Sequence, residues 1–352
     1  MIRPRTTRTV GIDALRDLMH RLLVAAGASD ENAKIAADQF LEADLRGIPT
    51  QGLDHMSSNL ERLRAGKIKG DARPRVVREG PSFALIDGGD GPGQPAGVMA
   101  ADLAAEKAKA AGSAVVGITR SADIFMIGYY GERIARAGCA GIVASDATPQ
   151  VRPYGSLEGL LGTNPFVIAV PTAGEHPVVL DIATSAISAS HVRVAAYHGE
   201  DVPAADGRDA RGNPTVKASE VKTLGPLAGY KGFGLGLCVA LVSAPLMGAA
   251  VGRAHRDWFD TDGVPTPKGH FFLAIDPGAF GDAEVFRNAV SEYIAEVKAT
   301  RRAPGVDELL VPGERAFRER TRNLARGEVE MLDAAWERIE KIAGELGVRM
   351  PE

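Results

Sequence analysis

The sequence predicts an α/β fold, and three observations carry that reading. Two β-branched runs, Phe166–Val170 and Val178–Ile182, are bounded by Gly, Pro, Asn and small polar residues, the pattern of buried strands with turns at their ends. Leu15, Leu18, Met19, Leu22, Leu23 and Ala26 recur at helical spacing and mark one amphipathic face. Between residues 83 and 144, short apolar runs alternate with Ala-rich helical stretches. With 352 residues, 45% of them apolar, the chain has room for two domains and a sizeable core.

In chain order, the first helix is expected over residues 13–26 and stops at Gly27. Ser29-Asp30-Glu31 opens a second, with a capping residue and acid in its first turn, running to about Leu45. A short helical piece covers 60–66. A strand over 83–86 leads into a glycine-rich turn over 87–94, which lacks the Gly-Lys-Ser/Thr ending of a phosphate loop. Residues 97–111 read as a helix, 114–118 as a strand, 128–137 as a helix and 141–144 as a strand. Phe166–Val170 and Val178–Ile182 read at the least as a hairpin. Residues 201–223 are irregular. Residues 232–252 carry no charge; five glycines and Pro245 argue for a buried core helix rather than a membrane span. A late strand covers 270–275, and 314–347 reads as a charged, solvated helical cap.

Composition excludes several classes. Lys plus Arg number 41 against 45 Asp plus Glu, which argues against a nucleic-acid or membrane-surface protein. Aromatics at 5% give no base-stacking platform. The seven histidines show no paired metal-ligand spacing. Cys139 and Cys238 both sit in apolar runs, as small core residues of a reducing cytoplasm do. No apolar run follows Arg3, Arg5 and Arg8, so no secretory leader is expected.

Asp181 ends an apolar run, Gly162-Thr163-Asn164-Pro165 is a turn, and Lys231 stands at a glycine-rich helix start. Ligand sites in α/β proteins gather at such places. The alternative for Lys231 and Gly232 is a packing helix whose glycines permit close approach.

These landmarks resemble, in order, the malate/L-lactate dehydrogenase-like oxidoreductases, a non-Rossmann family that includes ureidoglycolate and sulfolactate dehydrogenases and cyclic-imine reductases. The matching stretches are Asp44-Leu45-Arg46-Gly47, Asp87-Gly88 with Gly93-Gln94, Gly128-Tyr129-Tyr130, Pro153-Tyr154-Gly155 and Gly162-Thr163-Asn164-Pro165. Asp181-Ile182-Ala183-Thr184-Ser185, Gly212-Asn213-Pro214-Thr215, Lys231-Gly232-Phe233-Gly234-Leu235, Phe272-Leu273-Ala274-Ile275-Asp276 and Pro312-Gly313-Glu314 continue the series.

The resemblance implies a nicotinamide-binding domain with a mixed sheet over 118–290. A helical domain, built from 1–117 and 291–352, would flank it in a cytoplasmic homodimer. It implies NAD or NADP as cofactor and a small carboxylate as substrate. It places Ser121, Thr163, Asn164, Asp181, Ile182, Ala183, His191, Lys231 and Gly232 on the cofactor side, and Arg46, Thr50 and Gln51 on the substrate side.

The departures fall on the chemistry. Where the family reads Asp-Leu-Arg-Gly-His-x-Ser-His-Gly, this chain has Gly47-Ile48-Pro49-Thr50-Gln51-Gly52, with both histidines absent. Asp123 stands where the family's acid/base histidine precedes Gly-Tyr-Tyr, and His191 replaces a lysine. Reduction of a ketone leaves an alkoxide that needs a proton donor of suitable pKa. Three readings follow: Asp123 has a raised pKa; His55, Tyr129 or His191 supplies the proton; or the substrate is an imine, whose positive charge an ionised Asp123 would stabilise. The last is slightly favoured. The alternatives are an N-cap role for Asp123, surface or packing roles for His55 and His191, a salt bridge from Arg46 to Asp44 or Glu42, a cap at Thr184 for Asp181, and a non-catalytic member that keeps the scaffold and pocket.

Overall fold

The computed structural model describes residues 6–203, 207–255 and 262–351, so Arg3 and Arg5 lie outside the described residues. Strand β1 (Thr7–Gly11) leads into α1 (Ile12–Ala25), whose Leu15, Leu18, Met19 and Leu22 are wholly buried. Each such burial contributes roughly 1.5–3 kcal/mol. Gly27 at φ +108° ends the turn. In α2 (Asp30–Leu45) the Ser29 hydroxyl accepts the Asn32 N–H at 3.3 Å, the cap expected from sequence. Helix α3 (Leu53–Arg64) begins seven residues earlier than expected. Its first turn is held by Asp44, whose carboxylate accepts the Leu53 N–H at 2.9 Å, a long-range cap that no local pattern reveals.

Then come β2 (Arg75–Gly80), β3 (Phe83–Gly91), α4 (Gly93–Ala111), β4 (Ser113–Ser121), α5 (Gly128–Arg136) and β5 (Ala140–Ser145). The expected turn over 87–94 is instead the end of β3 and the start of α4. Strands β6 (Phe166–Val170) and β7 (Val178–Ile182) have the expected bounds and pair antiparallel. Helix α6 (Ala189–His198), β8 (Gly207–Arg208), β9 (Thr223–Leu224), α7 (Tyr230–Ser243), β10 (Lys268–Ile275) and α8 (Ala283–Ala299) follow. The chain closes with α9 (Glu314–Arg326), β11 (Glu328–Leu332) and α10 (Asp333–Leu346).

One seven-stranded sheet runs β2-β3-β4-β10-β5-β6-β7. Only β3 and β4 pair in parallel; the other neighbours are antiparallel, so the sheet is mixed. The expected domain boundary at 117/118 falls inside β4, because β2 and β3 join this same sheet. A second core packs α1, α2 and α3 against Val329, Met331, Trp336, Ile339 and Ile342 near the C-terminus, and β1 pairs with β11. Ala122 and Phe125 enter this helical core directly after β4. The segment around residue 123 is therefore gripped between the two cores.

Three expectations are corrected. Residues 314–347 are not a solvated helical cap: β11 interrupts them, and α10 buries Trp336, Ile339 and Ile342. Helix α7 is not buried: Leu235, Leu237, Leu241 and Val242 are exposed, while Gly236, Val239, Ala240 and Ser243 face protein. Cys238 on the same helix is exposed, whereas Cys139 is buried.

Candidate active site

A cavity of about 500 Å³ opens beside the ends of β4, β5, β7 and β10. That is within the usual range for a small-molecule site. Thr50, Gln51, His55, Asp123, Thr163, Asp181 and Ala183, all expected from sequence, line it together. Three charged residues that the sequence reading did not single out line it too: Asp146, Arg193 and Lys268.

The backbone holding Asp123 is unusual on both sides. Arg120 has φ +51° and Phe125 φ +57°, conformations that cost of order 1–3 kcal/mol each in residues other than glycine. Lys268 pairs with Ser121 and His270 with Ile118, so β4 carries an extra residue there. Such a bulge bends the strand and re-aims its side chains. The segment is also tied down. The Ala122 N–H donates to Gly91 O at 3.1 Å, and His270 Nε2–H donates to Ala122 O at 3.0 Å. Gly93 shows why a glycine opens α4: a Cβ there would stand 2.2 Å from Asp123 O.

Lys268 Nζ donates to Asp123 Oδ1 in a buried ion pair; their side chains are 2% and 20% exposed. Burial pushes the Asp123 carboxyl up, but the Lys268 ammonium, with Arg62 and His55 beyond it, holds it below the usual carboxylate range. Asp123 is therefore ionised. It is neither a raised-pKa acid nor an N-cap: the N-cap of α5 is Ile127.

Asp146 follows β5 and is 4% exposed. Burial raises its carboxyl to about 6, against the lowering effect of Lys268 and the Ala147 N–H. Its Oδ2 lies 3.6 Å from His255 Nε2. Asp181 accepts the Gly128 N–H at 2.8 Å, at the N-terminus of α5 rather than of a helix near Thr184. Its side chain is exposed on the cavity side, and desolvation by the surrounding protein raises its carboxyl to about 6.

His55 Nδ1 lies 3.1 Å from Thr50 O. A carbonyl only accepts, so Nδ1 carries the proton and Nε2 is an acceptor. Burial, with Arg193 nearby, lowers His55 to about 4. Near neutral pH it has no proton to give from Nε2. Arg193 donates to Asp54 Oδ2 at 2.7 Å, and Arg338 to the other Asp54 oxygen. Arg193 Nε, Gln51 Oε1 and Thr148 Oγ1 are buried without a hydrogen-bond partner among the described residues. Unmet polar groups around a cavity of this size fit a nicotinamide ring beside a small carboxylate.

Several expected site residues lie elsewhere. Arg46 does not line the cavity: its Nη2 is 3.0 Å from Glu42 and 2.6 Å from Glu132, so two carboxylates already match its charge. The Asp-Leu-Arg-Gly stretch is thus structural, with Asp44 fixing α3 and Arg46 joining α2 to α5. Tyr129 packs half-buried beside Tyr130, with its hydroxyl pKa raised by burial. His191 is exposed in the first turn of α6, where its N–H donates to the Ser188 cap. Lys231 is exposed at the start of α7. A Cβ on Gly232 would meet Leu227 O at 2.0 Å, so that glycine serves close packing. Ser121 is buried and donates to Ala122 O. Ile182 pairs with Phe166 in the sheet. Asn164, wholly buried, supports the wall from behind: it accepts the Ala147 N–H at 3.1 Å and donates to Gly236 O at 2.9 Å.

The malate/L-lactate dehydrogenase family profile matches residues 10–340. A malate dehydrogenase of Pyrococcus abyssi is 33% identical over 347 residues, 96% of this chain and 94% of its own length. A Delta(1)-pyrroline-2-carboxylate/Delta(1)-piperideine-2-carboxylate reductase of Pseudomonas syringae pv. tomato is 33% identical over 342 residues, 96% of this chain and 97% of its own. The structure of malate dehydrogenase from Pyrococcus horikoshii superposes with a TM-score of 0.89 at 32% identity, covering 100% of both chains.

Proposed function

The chain belongs to the malate/L-lactate dehydrogenase family, and we propose that it is a nicotinamide-dependent oxidoreductase interconverting a small 2-oxo acid and its 2-hydroxy acid in the 500 Å³ cavity. The observation that carries the reading is the buried Lys268–Asp123 pair on the cavity wall. An ammonium fixed at this place by a carboxylate is a preorganised donor for a developing alkoxide.

Thr163, Asp181 and Ala183 would hold the ring of a dihydronicotinamide, with Asn164 bracing that wall from behind, and the cofactor when bound would supply the hydride. Arg193 binds the substrate carboxylate through its unpartnered Nε, a role suited to a guanidinium. Lys268 donates a hydrogen bond to the substrate C2 oxygen, and Asp146 in its protonated form gives that oxygen the proton. Asp123 is a positioning residue: it holds the Lys268 ammonium in place.

A cyclic imino acid is the second reading, and the ionised Asp123 favours it. The Lys268 charge beside Asp123 cancels most of that advantage, which moves the balance from imine towards ketone. The experiment is to follow consumption of NADH and NADPH with a panel of small 2-oxo acids and matching cyclic imines. Turnover of a 2-oxo acid faster than of the imine supports the reading. Cofactor binding without turnover of either class contradicts it.

The exposed apolar residues Leu235, Leu237, Leu241 and Val242 of α7 support a homodimer formed through that helix. Light scattering should give twice the chain mass for the wild type and a smaller mass for Leu241→Glu. A monomeric wild type would refute this assignment.

A further inference from the structure

The charges around the cavity restrict the substrate beyond its reaction type. Two cations line it among the described residues, and each already faces a protein carboxylate: Lys268 faces Asp123, and Arg193 faces Asp54. Three carboxylates line it: Asp123, Asp146 and Asp181. Arg46 acts on Asp181 from outside the lining, but it is paired with Glu42 and Glu132. Arg62 acts on Asp123, and His255 stands near Asp146, also from outside the lining. The rest of the wall is uncharged. Thr50, Gln51, Thr148, Gln150, Ser188 and Ser190 offer hydrogen-bonding groups, and Gln51 Oε1 and Thr148 Oγ1 are unpartnered.

We propose that this chain is built for a 2-oxo or 2-hydroxy acid with a single carboxylate and an uncharged, hydrogen-bonding tail, and that it discriminates against dicarboxylates. The inference rests on the cavity being the 2-oxo acid site. One substrate carboxylate is met by Arg193. A second would find no further lining cation among the described residues, on a wall that also carries the Asp181 carboxylate. Burying like charges together costs several kcal/mol unless one is neutralised. An amide, ureide or hydroxyl tail instead finds partners at Gln51 and Thr148. The reaction is unchanged: hydride joins C2, a proton joins its oxygen, and the reduced nicotinamide is oxidised.

The test compares two substrates of one shape, oxaloacetate and its monoamide 2-oxosuccinamate, with reduced cofactor. The expected result is a kcat/KM at least about tenfold higher for the amide, carried mainly by KM. In Thr148→Lys, which adds a cation to the wall, the ratio should move towards oxaloacetate. Reduction of oxaloacetate as well as or better than the amide by the wild type overturns the inference and leaves the oxidoreductase reading standing. Failure to reduce any small 2-oxo acid removes that reading, and this inference with it.

Discussion

Replacing Lys268 with methionine removes the ammonium and leaves a similar stem. The side chain it replaces is 2% exposed, and its partner Asp123 would remain as a buried carboxylate. Breaking one side of a buried pair costs about 3–5 kcal/mol while the remaining group stays charged. Asp123 escapes part of that cost by taking a proton, since burial alone pushes its carboxyl up. The pH dependence therefore reverses. In the wild type the folded-state pKa of Asp123 lies below its ordinary 3.8, so the pair's stabilisation is present above that value and is lost as pH falls through the lower folded value. In Lys268→Met the folded-state pKa is raised, so stability falls as pH rises past 3.8, and the melting temperature should be higher near pH 5 than near pH 8. Loss of the oxyanion donor should lower kcat for a 2-oxo acid by about 100- to 1000-fold. The double variant Asp123→Asn/Lys268→Met should recover most of the stability at about pH 8 and none of the kcat. Thermal melts across pH and steady-state rates on the same samples measure both effects. A single variant with wild-type kcat would refute the role given to Lys268, and a double variant that regains activity would refute the separation of positioning from chemistry.

Other substitutions test the remaining parts. In Asp146→Asn, kcat/KM for reduction should drop about 100-fold or more and lack the decline expected of the wild type above about pH 6. The raised carboxyl also destabilises the folded state as pH rises from 3.8 to about 6, so above that range the same variant should be more stable than wild type, by up to roughly 3 kcal/mol, and melt higher. Arg193→Leu should raise KM for the 2-oxo acid about 10- to 100-fold with a smaller change in kcat, and Arg193→Lys should restore it only partly. Gly93→Ala, whose Cβ would stand 2.2 Å from Asp123 O, should lower both the melting temperature and kcat while leaving cofactor affinity little changed, as differential scanning fluorimetry and cofactor fluorescence would show.

Much of the frame was legible in local pattern. The β6 and β7 bounds follow from β-branched runs between turn residues, and α1 and α2 from apolar spacing and the Ser29 cap. Of the residues that the family resemblance singled out, Asp123, Thr163, Asp181 and Ala183 line one cavity. What escaped depends on contacts distant in sequence. Arg46 has the ordinary look of a carboxylate binder; its Glu42 partner was a legible alternative, but the approach of Glu132 from α5 was not. Lys268 reaches Asp123 across 145 positions through strand pairing between β10 and β4. Asp146 had a local signal that went unused, since it directly follows the apolar run of β5, where sites in α/β proteins gather. The outward face of α7 escaped because an uncharged run reads alike whether it is buried or exposed.

A crystal structure with NADH or NADPH and oxamate bound tests the central claim most directly. The nicotinamide ring should lie against Thr163, Asp181 and Ala183, with the oxamate carboxylate on Arg193 and its amide oxygen within hydrogen-bond reach of Lys268 Nζ. A ring bound outside this cavity, or oxamate turned so that Lys268 and Arg193 touch neither end, would contradict it.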